Sequence, residues 1–157
     1  ETILETLADW GSKTKDAEVL VEYVRNALRR TICQQYAAPA ADGMGKPRIV
    51  CVTLDPAFED NINSYIDRGP AGTVVSMPAR VAARVTESIM KGVRQVTSAG
   101  HPPVIIASPQ VRAVVRQLIE PQVSTVAVLG YNEIIPGVEV ESLSLVSAPE
   151  RAEVAAA

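Results

Sequence analysis

The feature that most constrains this chain is a transition that occurs three times. A short β-branched run leads into a helix-like segment headed by proline, as "VTLDPAFEDNI", "VVSMPARVAARV" and "VIIASPQVRAVV". Proline suits the first helical position because its missing N–H would be unpaired there and its φ is already helical. Asp55 and Ser108, just before two of the prolines, are placed to cap free amides, whereas Met77 in the middle copy is not. Repeated strand-to-helix steps imply a mixed α/β architecture. The copies are too unequal in length for a solenoid repeat.

The segments between them extend the pattern. "TILETLAD" sets Ile3, Leu4, Leu7 and Ala8 on one helical face, and Gly11 stops that helix. Asp16 is the expected N-cap of a second helix running to about Tyr36, with Leu20, Val24, Ala27, Leu28 and Ile32 as its buried stripe. Residues 37–47 read as a loop. Strands are expected in "RIVCVTL", "TVVSM", "PPVIIA", "TVAVL" and "GVEVESLSLV". In the long helix after Pro78, Val81, Val85, Ile89, Val93 and Val96 fall in line.

Composition narrows the function classes. The chain has 157 residues, enough for one ordinary domain or two small ones, and 47% are hydrophobic. With one Trp and one Phe, the core must be built from Val, Ile, Leu and Ala. A net charge of −3, with no long basic run and few aromatics, argues against nucleic-acid binding. Cys33 and Cys51 lack CxxC spacing and read as buried small hydrophobes in a reduced cytosolic setting. No apolar run reaches the ~20 residues that span a bilayer, and no signal peptide opens the chain. The missing initiator Met and a start within a helical pattern suggest a fragment of a longer protein.

No catalytic constellation emerges. His101, the one histidine, precedes Pro102-Pro103 in a loop without a base-orienting neighbour. "DGMGK", residues 42–46, has the wrong spacing for a phosphate loop and precedes a strand, so no helix N-terminus faces it. Asp55, Glu59 and Asp60 form the densest carboxylate group, which the dipole of the following helix explains. No metal-ligand spacing is present, and no metal or cofactor is expected. Arg80 and Arg84 share a helix face, as do Arg112 and Arg116. Both pairs are expected outer faces and candidate protein contacts. Glu87 and Lys91 are spaced for an i,i+4 ion pair. The residues alone thus imply a non-enzymatic α/β module. The alternative is a small-molecule-binding α/β module with its ligand at the strand C-terminal ends, where the three proline-led helices begin.

Two long segments carry a resemblance: "TILETLADWGSKTKDAEVLVEYVRNALRRTICQQY" and "PPVIIASPQVRAVVRQLIEPQVSTVAVLGYNEIIPGVEVESL". With the Val-Leu-Gly-Tyr-Asn-Glu-Ile run of Val128–Ile134, where the family has Ser at Gly130, the chain resembles the C-terminal cytosolic part of the flagellar export-gate proteins of the FlhA/InvA family. The likeness runs to Val146. Asn132 favours the flagellar branch, since virulence-system relatives usually carry Gln there.

The resemblance implies an α/β fold (α+β mixed): two small α/β subdomains with short mixed sheets and flanking helices. These would be a third cytosolic subdomain at 1–77, similar to ring-building modules, and a fourth at 78–147, divided near Met77–Pro78; beyond the likeness, residues 148–157 read by composition as a flexible tail. It implies a role in a type III protein export platform at the cytoplasmic face of the bacterial inner membrane. The partners would be itself, as a nine-membered ring in the whole protein, and chaperone–substrate complexes and other export-apparatus proteins. The membrane would be reached only through an N-terminal domain absent from this sequence. The family's Ser-Tyr-Asn-Glu also has the form of a capping box. Tyr131–Ile135 is therefore expected to form one helical turn, with Glu133 reaching back to the Gly130 amide and Pro136-Gly137 ending it.

Overall fold

The structure is a computed structural model that describes residues 1–11, 16–39, 43–69 and 72–147. The tail at 148–157, the Lys-Thr-Lys run at 13–15 and part of the loop at 40–42 lie outside the described residues.

Helices α1 (Thr2–Gly11), α2 (Ala17–Ala27) and α3 (Arg29–Tyr36) come first. Strand β1 (Arg48–Leu54) and helix α4 (Pro56–Asn63) follow, then the hairpin β2 (Ile66–Gly69) and β3 (Gly72–Val75). The rest of the chain runs α5 (Ala79–Ser98), β4 (Val104–Ala107), α6 (Arg112–Ile119), β5 (Ala127–Gly130), a 3-10 turn at Tyr131–Glu133, and β6 (Glu139–Val146). The mixed α/β expectation holds. A four-stranded sheet of order β5-β4-β1-β6 is parallel throughout, and β2 pairs with β3 antiparallel.

Strand alternation splits the core into two layers. Val52, Leu54, Ile105, Ala107, Val128 and Val146 meet α4, α5 and α6. The long-helix stripe lands as expected: Val85, Ile89, Val93 and Val96 are buried, and Val81 packs at the margin. Gly92 lets α5 lie close to the sheet, for a Cβ there would stand 3.0 Å from Val52 Cγ1 and 3.2 Å from Val146 Cγ2. On the other face Ile49, Cys51, Val104, Ile106, Ala127 and Leu129 meet Cys33 of α3. Burial pushes the Cys51 thiol up to about 12, which leaves it an inert core residue.

Several expectations are corrected. The single helix from Asp16 to Tyr36 is two, separated at Leu28 (φ −93°, ψ 7°), and this break lets Cys33 turn onto the sheet. The α1 stripe is open to solvent: Ile3 is 48%, Leu4 71% and Leu7 38% exposed. The helix is held instead through Trp10, whose ring stacks on Tyr23 at 4.0 Å. Strand β2 was not expected, because "IDRG" has neither alternation nor β-branched density beyond Ile66. Finally, β1 lies between β4 and β6, so one sheet draws strands from both sides of Met77–Pro78, the division expected from the resemblance. β-ladder pairing between distant segments leaves no mark in local composition.

Candidate functional site: a buried ion network and two grooves

The expected turn after β5 is present, but its glutamate has a different task. Gly130 is extended (φ −84°, ψ 150°) and the 3-10 turn has no side-chain cap. Glu133 is fully buried, and its carboxylate accepts from Arg25 Nε at 3.0 Å and Arg25 Nη2 at 2.8 Å, across 108 residues of sequence. The capping box is thus replaced by a bidentate ion pair, the stronger use of a buried carboxylate. Asn132 is exposed and its Nδ2 faces Asn26 Oδ1 at 3.4 Å. Tyr131 is exposed and Ile134 is partly buried against the α3-side core. Gly137 ends the segment at φ 92°, a conformation that favours glycine.

Arg112 joins the same network. Only 3% of it is exposed, so it is not on an outer face with Arg116. Its Nε and Nη2 donate to Glu22 Oε1 at 2.9 and 2.7 Å, and its Nη1 meets the Val128 carbonyl at 3.3 Å. Arg25 Nη2 reaches that same carbonyl at 3.3 Å, and Arg112 Nε stands 3.9 Å from Glu133 Oε1. Two arginines and two glutamates therefore fasten α2 to α6 and to the end of β5. An i,i+4 spacing reports a shared face; it does not reveal that another helix crosses half of it. Arg116 stays 43% exposed by side chain and lies 3.6 Å from Glu120. Arg80 and Arg84 are exposed on α5, and among the described residues no ion pair reaches them. Glu87 bonds Arg94 at 2.9 Å and not Lys91.

Of the expected caps, Asp16 performs as one. It accepts from the Glu18 amide at 3.0 Å and from Thr73 Oγ1 at 2.7 Å. The Thr73 hydroxyl, more than the backbone amides, holds its carboxyl below the ordinary value of 3.8. Asp55 has the extended backbone of an N-cap but no side-chain cap bond, and its N–H donates to Val146 O at 2.8 Å. Ser108 lies before a turn, so α6 begins at Arg112 behind Val111. Its carbonyl accepts from the Val111 and Arg112 amides. Pro56 opens α4 as expected, whereas Pro78 is itself the N-cap of α5.

Two grooves open on this side. One, of about 440 Å³, lies where β1 and β4 end and is lined by Glu59, Asp60, Asn63, Ser108 and Gln110. The Ser108 amide there already donates to Glu59 Oε2 at 2.9 Å, so the protein's own carboxylate takes the place an anionic ligand would use. A second, of about 390 Å³, separates α2 from the β2–β3 hairpin and the start of α6. Among the described residues no group of three or more His, Cys, Asp or Glu could hold a metal ion, and His101 is exposed. No helix among them is long and apolar enough to cross a membrane.

Fold and network together define a parallel α/β module whose helix α2 is stapled to a sheet edge by buried charge. The FHIPEP family matches residues 1–139, and the chain belongs to that family. It is 30% identical over 142 residues to the low calcium response locus protein D of Yersinia pestis, covering 90% of this chain and 19% of that protein. It is 32% identical over 145 residues to the flagellar biosynthesis protein FlhA of Bacillus subtilis, covering 92% and 20%. Among solved structures, nonameric EPEC SctV-C matches with TM-score 0.73 and 27% identity over 92% of this chain and 41% of that one. The complex of Chlamydia pneumoniae CdsV with CdsO matches with TM-score 0.74 and 30% identity over 93% and 41%. The chain thus spans about a fifth of the length of these curated relatives and about two fifths of the solved chains.

Proposed function

We propose that this chain is a cytosolic portion of a flagellar type III export gate and helps form a ring-shaped platform on which chaperone–substrate complexes dock. The observation that carries this reading is its likeness, over 92% of its length, to a domain solved as a nonamer. The CdsV–CdsO complex supports contact with other export-apparatus proteins. Asn132 and the match to FlhA support the flagellar branch. On this reading the protein works at the cytoplasmic face of the inner membrane, by holding partners and not by turnover, and Arg80, Arg84 and Arg116 are its contact candidates. On this reading the ends of β1 and β4 are not a metabolite site, which the Glu59 carboxylate on the Ser108 amide supports.

The test is electron microscopy and sedimentation of the complete cytosolic region, with capture of chaperone–substrate complexes measured beside it. Nine-fold rings that capture such complexes are expected. A monomer at every concentration that captures none would overturn the proposal.

A further inference from the structure

We propose that α2, with α1 stacked on it, is a hinged strap that lifts from α6 and the end of β5 about Leu28 while α3 and the sheet stay folded. The strap lies outside the apolar core. Among the described residues, neither α1 nor α2 contributes to either core layer, and α2 has no buried residue at all. Its expected stripe of Leu20 and Val24 is only half-buried. By contrast, α3 is anchored by the fully buried Cys33, with Ile32 and Tyr36 packed beside it. Between the two helices Leu28 departs from helical ψ (φ −93°, ψ 7°), and its amide is shared by the Val24 and Arg25 carbonyls at 3.0 and 3.1 Å. Cavities of about 390, 230 and 100 Å³ follow the seam, lined in part by Glu22, Arg25, Ala113 and Arg116. Close packing therefore does not hold the strap down.

Charge closes the seam, and the charges are arranged so that opening strands none of them. The pairs that cross it are Arg25 with Glu133 and Glu22 with Arg112. The two residues that stay behind, Arg112 and Glu133, already stand 3.9 Å apart. The two that leave, Glu22 and Arg25, are three positions apart on one helical face. Each side therefore separates as a neutral pair, and water reaches both. Opening also hydrates Glu22 Oε2, which is buried without a hydrogen-bond partner while the strap is down. An apolar seam has no such relief, because opening it would expose hydrocarbon. Asp16 adds one further clasp, on Thr73 Oγ1 at 2.7 Å. The inference goes beyond the export-platform reading and does not rest on it.

A released helix of 11 residues is marginal in water, so lifting opens its amides to solvent exchange. The experiment is native-state hydrogen exchange of this chain by NMR, at rising denaturant and at two salt concentrations. Amides of residues 21–27 are expected to share one opening free energy and to exchange at least about tenfold faster than those of residues 33–36. Their denaturant dependence should be less than about half that of the α5 amides, because only the seam is exposed. Raising NaCl from about 0.01 to 1 M should speed α2 exchange about threefold, since the charges of the seam are partly exposed and are screened. An apolar seam would not loosen with salt. Exchange of α2 in step with α5, opening of α3 together with α2, protection graded inward from Ala17 as at a frayed end, or α2 exchange that is unchanged or slower at high salt would each overturn the proposal.

Discussion

The two faces of the parallel sheet are held by different physics. The face under α4, α5 and α6 is a wide apolar layer, with Ile62, Ile89, Val96, Val115 and Ile119 all fully buried. The face under α3 has a smaller apolar layer around Cys33 and Cys51, and at its β5 edge the chain relies on Arg25, Glu133, Arg112 and Glu22. On the first face, removing atoms leaves a cavity. At the second, removing one partner leaves an uncompensated charge. The comparison teaches that α2 is fastened to α6 and the β5 edge by a few charge-assisted bonds concentrated in four side chains, whereas α3 beside it is held by apolar contact around Cys33.

The largest effect that sharpens this contrast is at Glu133. Glu133→Ala is expected to destabilise by about 3–5 kcal/mol, the usual result of breaking a buried ion pair from one side. Ile89→Ala, on the apolar face, should cost about 2–5 kcal/mol as a cavity mutation. The two are told apart by rescue. A nearby large-to-larger change can refill the Ile89 cavity, whereas only removal of the facing arginine relieves the Glu133 site. Denaturant melts measure both.

Gly92→Ala is the next effect. Alanine is the better helix former by about 1 kcal/mol. Yet its Cβ would crowd Val52 Cγ1, Ser144 Oγ and Val146 Cγ2 at 3.0–3.2 Å, all anchored in the sheet. Overpacking of about 1–3 kcal/mol outweighs the helical gain, so a net loss near 1 kcal/mol is expected in a thermal melt.

Asp16 supplies a smaller, pH-dependent effect on the helical side. Its carboxyl is depressed in the folded chain, first by Thr73. It therefore contributes stability above its ordinary value of 3.8 that is lost as pH falls through the lower folded value. Thr73→Val should raise the Asp16 titration towards the ordinary value and shrink the acid-side loss. NMR titration of the Asp16 carboxyl checks it, and an unchanged midpoint would show that Thr73 is not the cause.

The smallest effect belongs to Gly130→Ser. The backbone there is extended, so a side chain brings no φ strain. A Cβ would displace the Asn132 side-chain oxygen, which can swing aside. With Glu133 committed to Arg25, the serine regains only half of a capping box. The expected change is within about 0.5 kcal/mol of zero.

These contrasts also mark what was legible in the sequence. The α5 stripe from Val81 to Val96, the proline at the head of α4, the Asp16 cap and the turn at Tyr131–Glu133 each rest on residues within a few positions of one another. Local periodicity and capping chemistry therefore exposed them. The pairing of Arg25 with Glu133 spans 108 residues, and nothing near either residue announces it. Arg112 and Arg116 look alike in a helical projection, and only the passage of α2 over one of them separates a buried partner from a half-exposed one. The parallel pairing of β1 with β4 and β6 was hidden for the same reason, since register between distant strands is a tertiary fact.

The most direct test of the central claim is a double-mutant cycle on Arg25→Ala and Glu133→Ala, read by denaturant unfolding of this chain. If buried charge fastens α2 to the sheet edge, the double variant should be more stable than the sum of the two single losses by about 1.5–3 kcal/mol, the range of strongly coupled neighbours. Losses that add to within about 0.3–0.5 kcal/mol would contradict the account and return Glu133 to a purely local role in its turn.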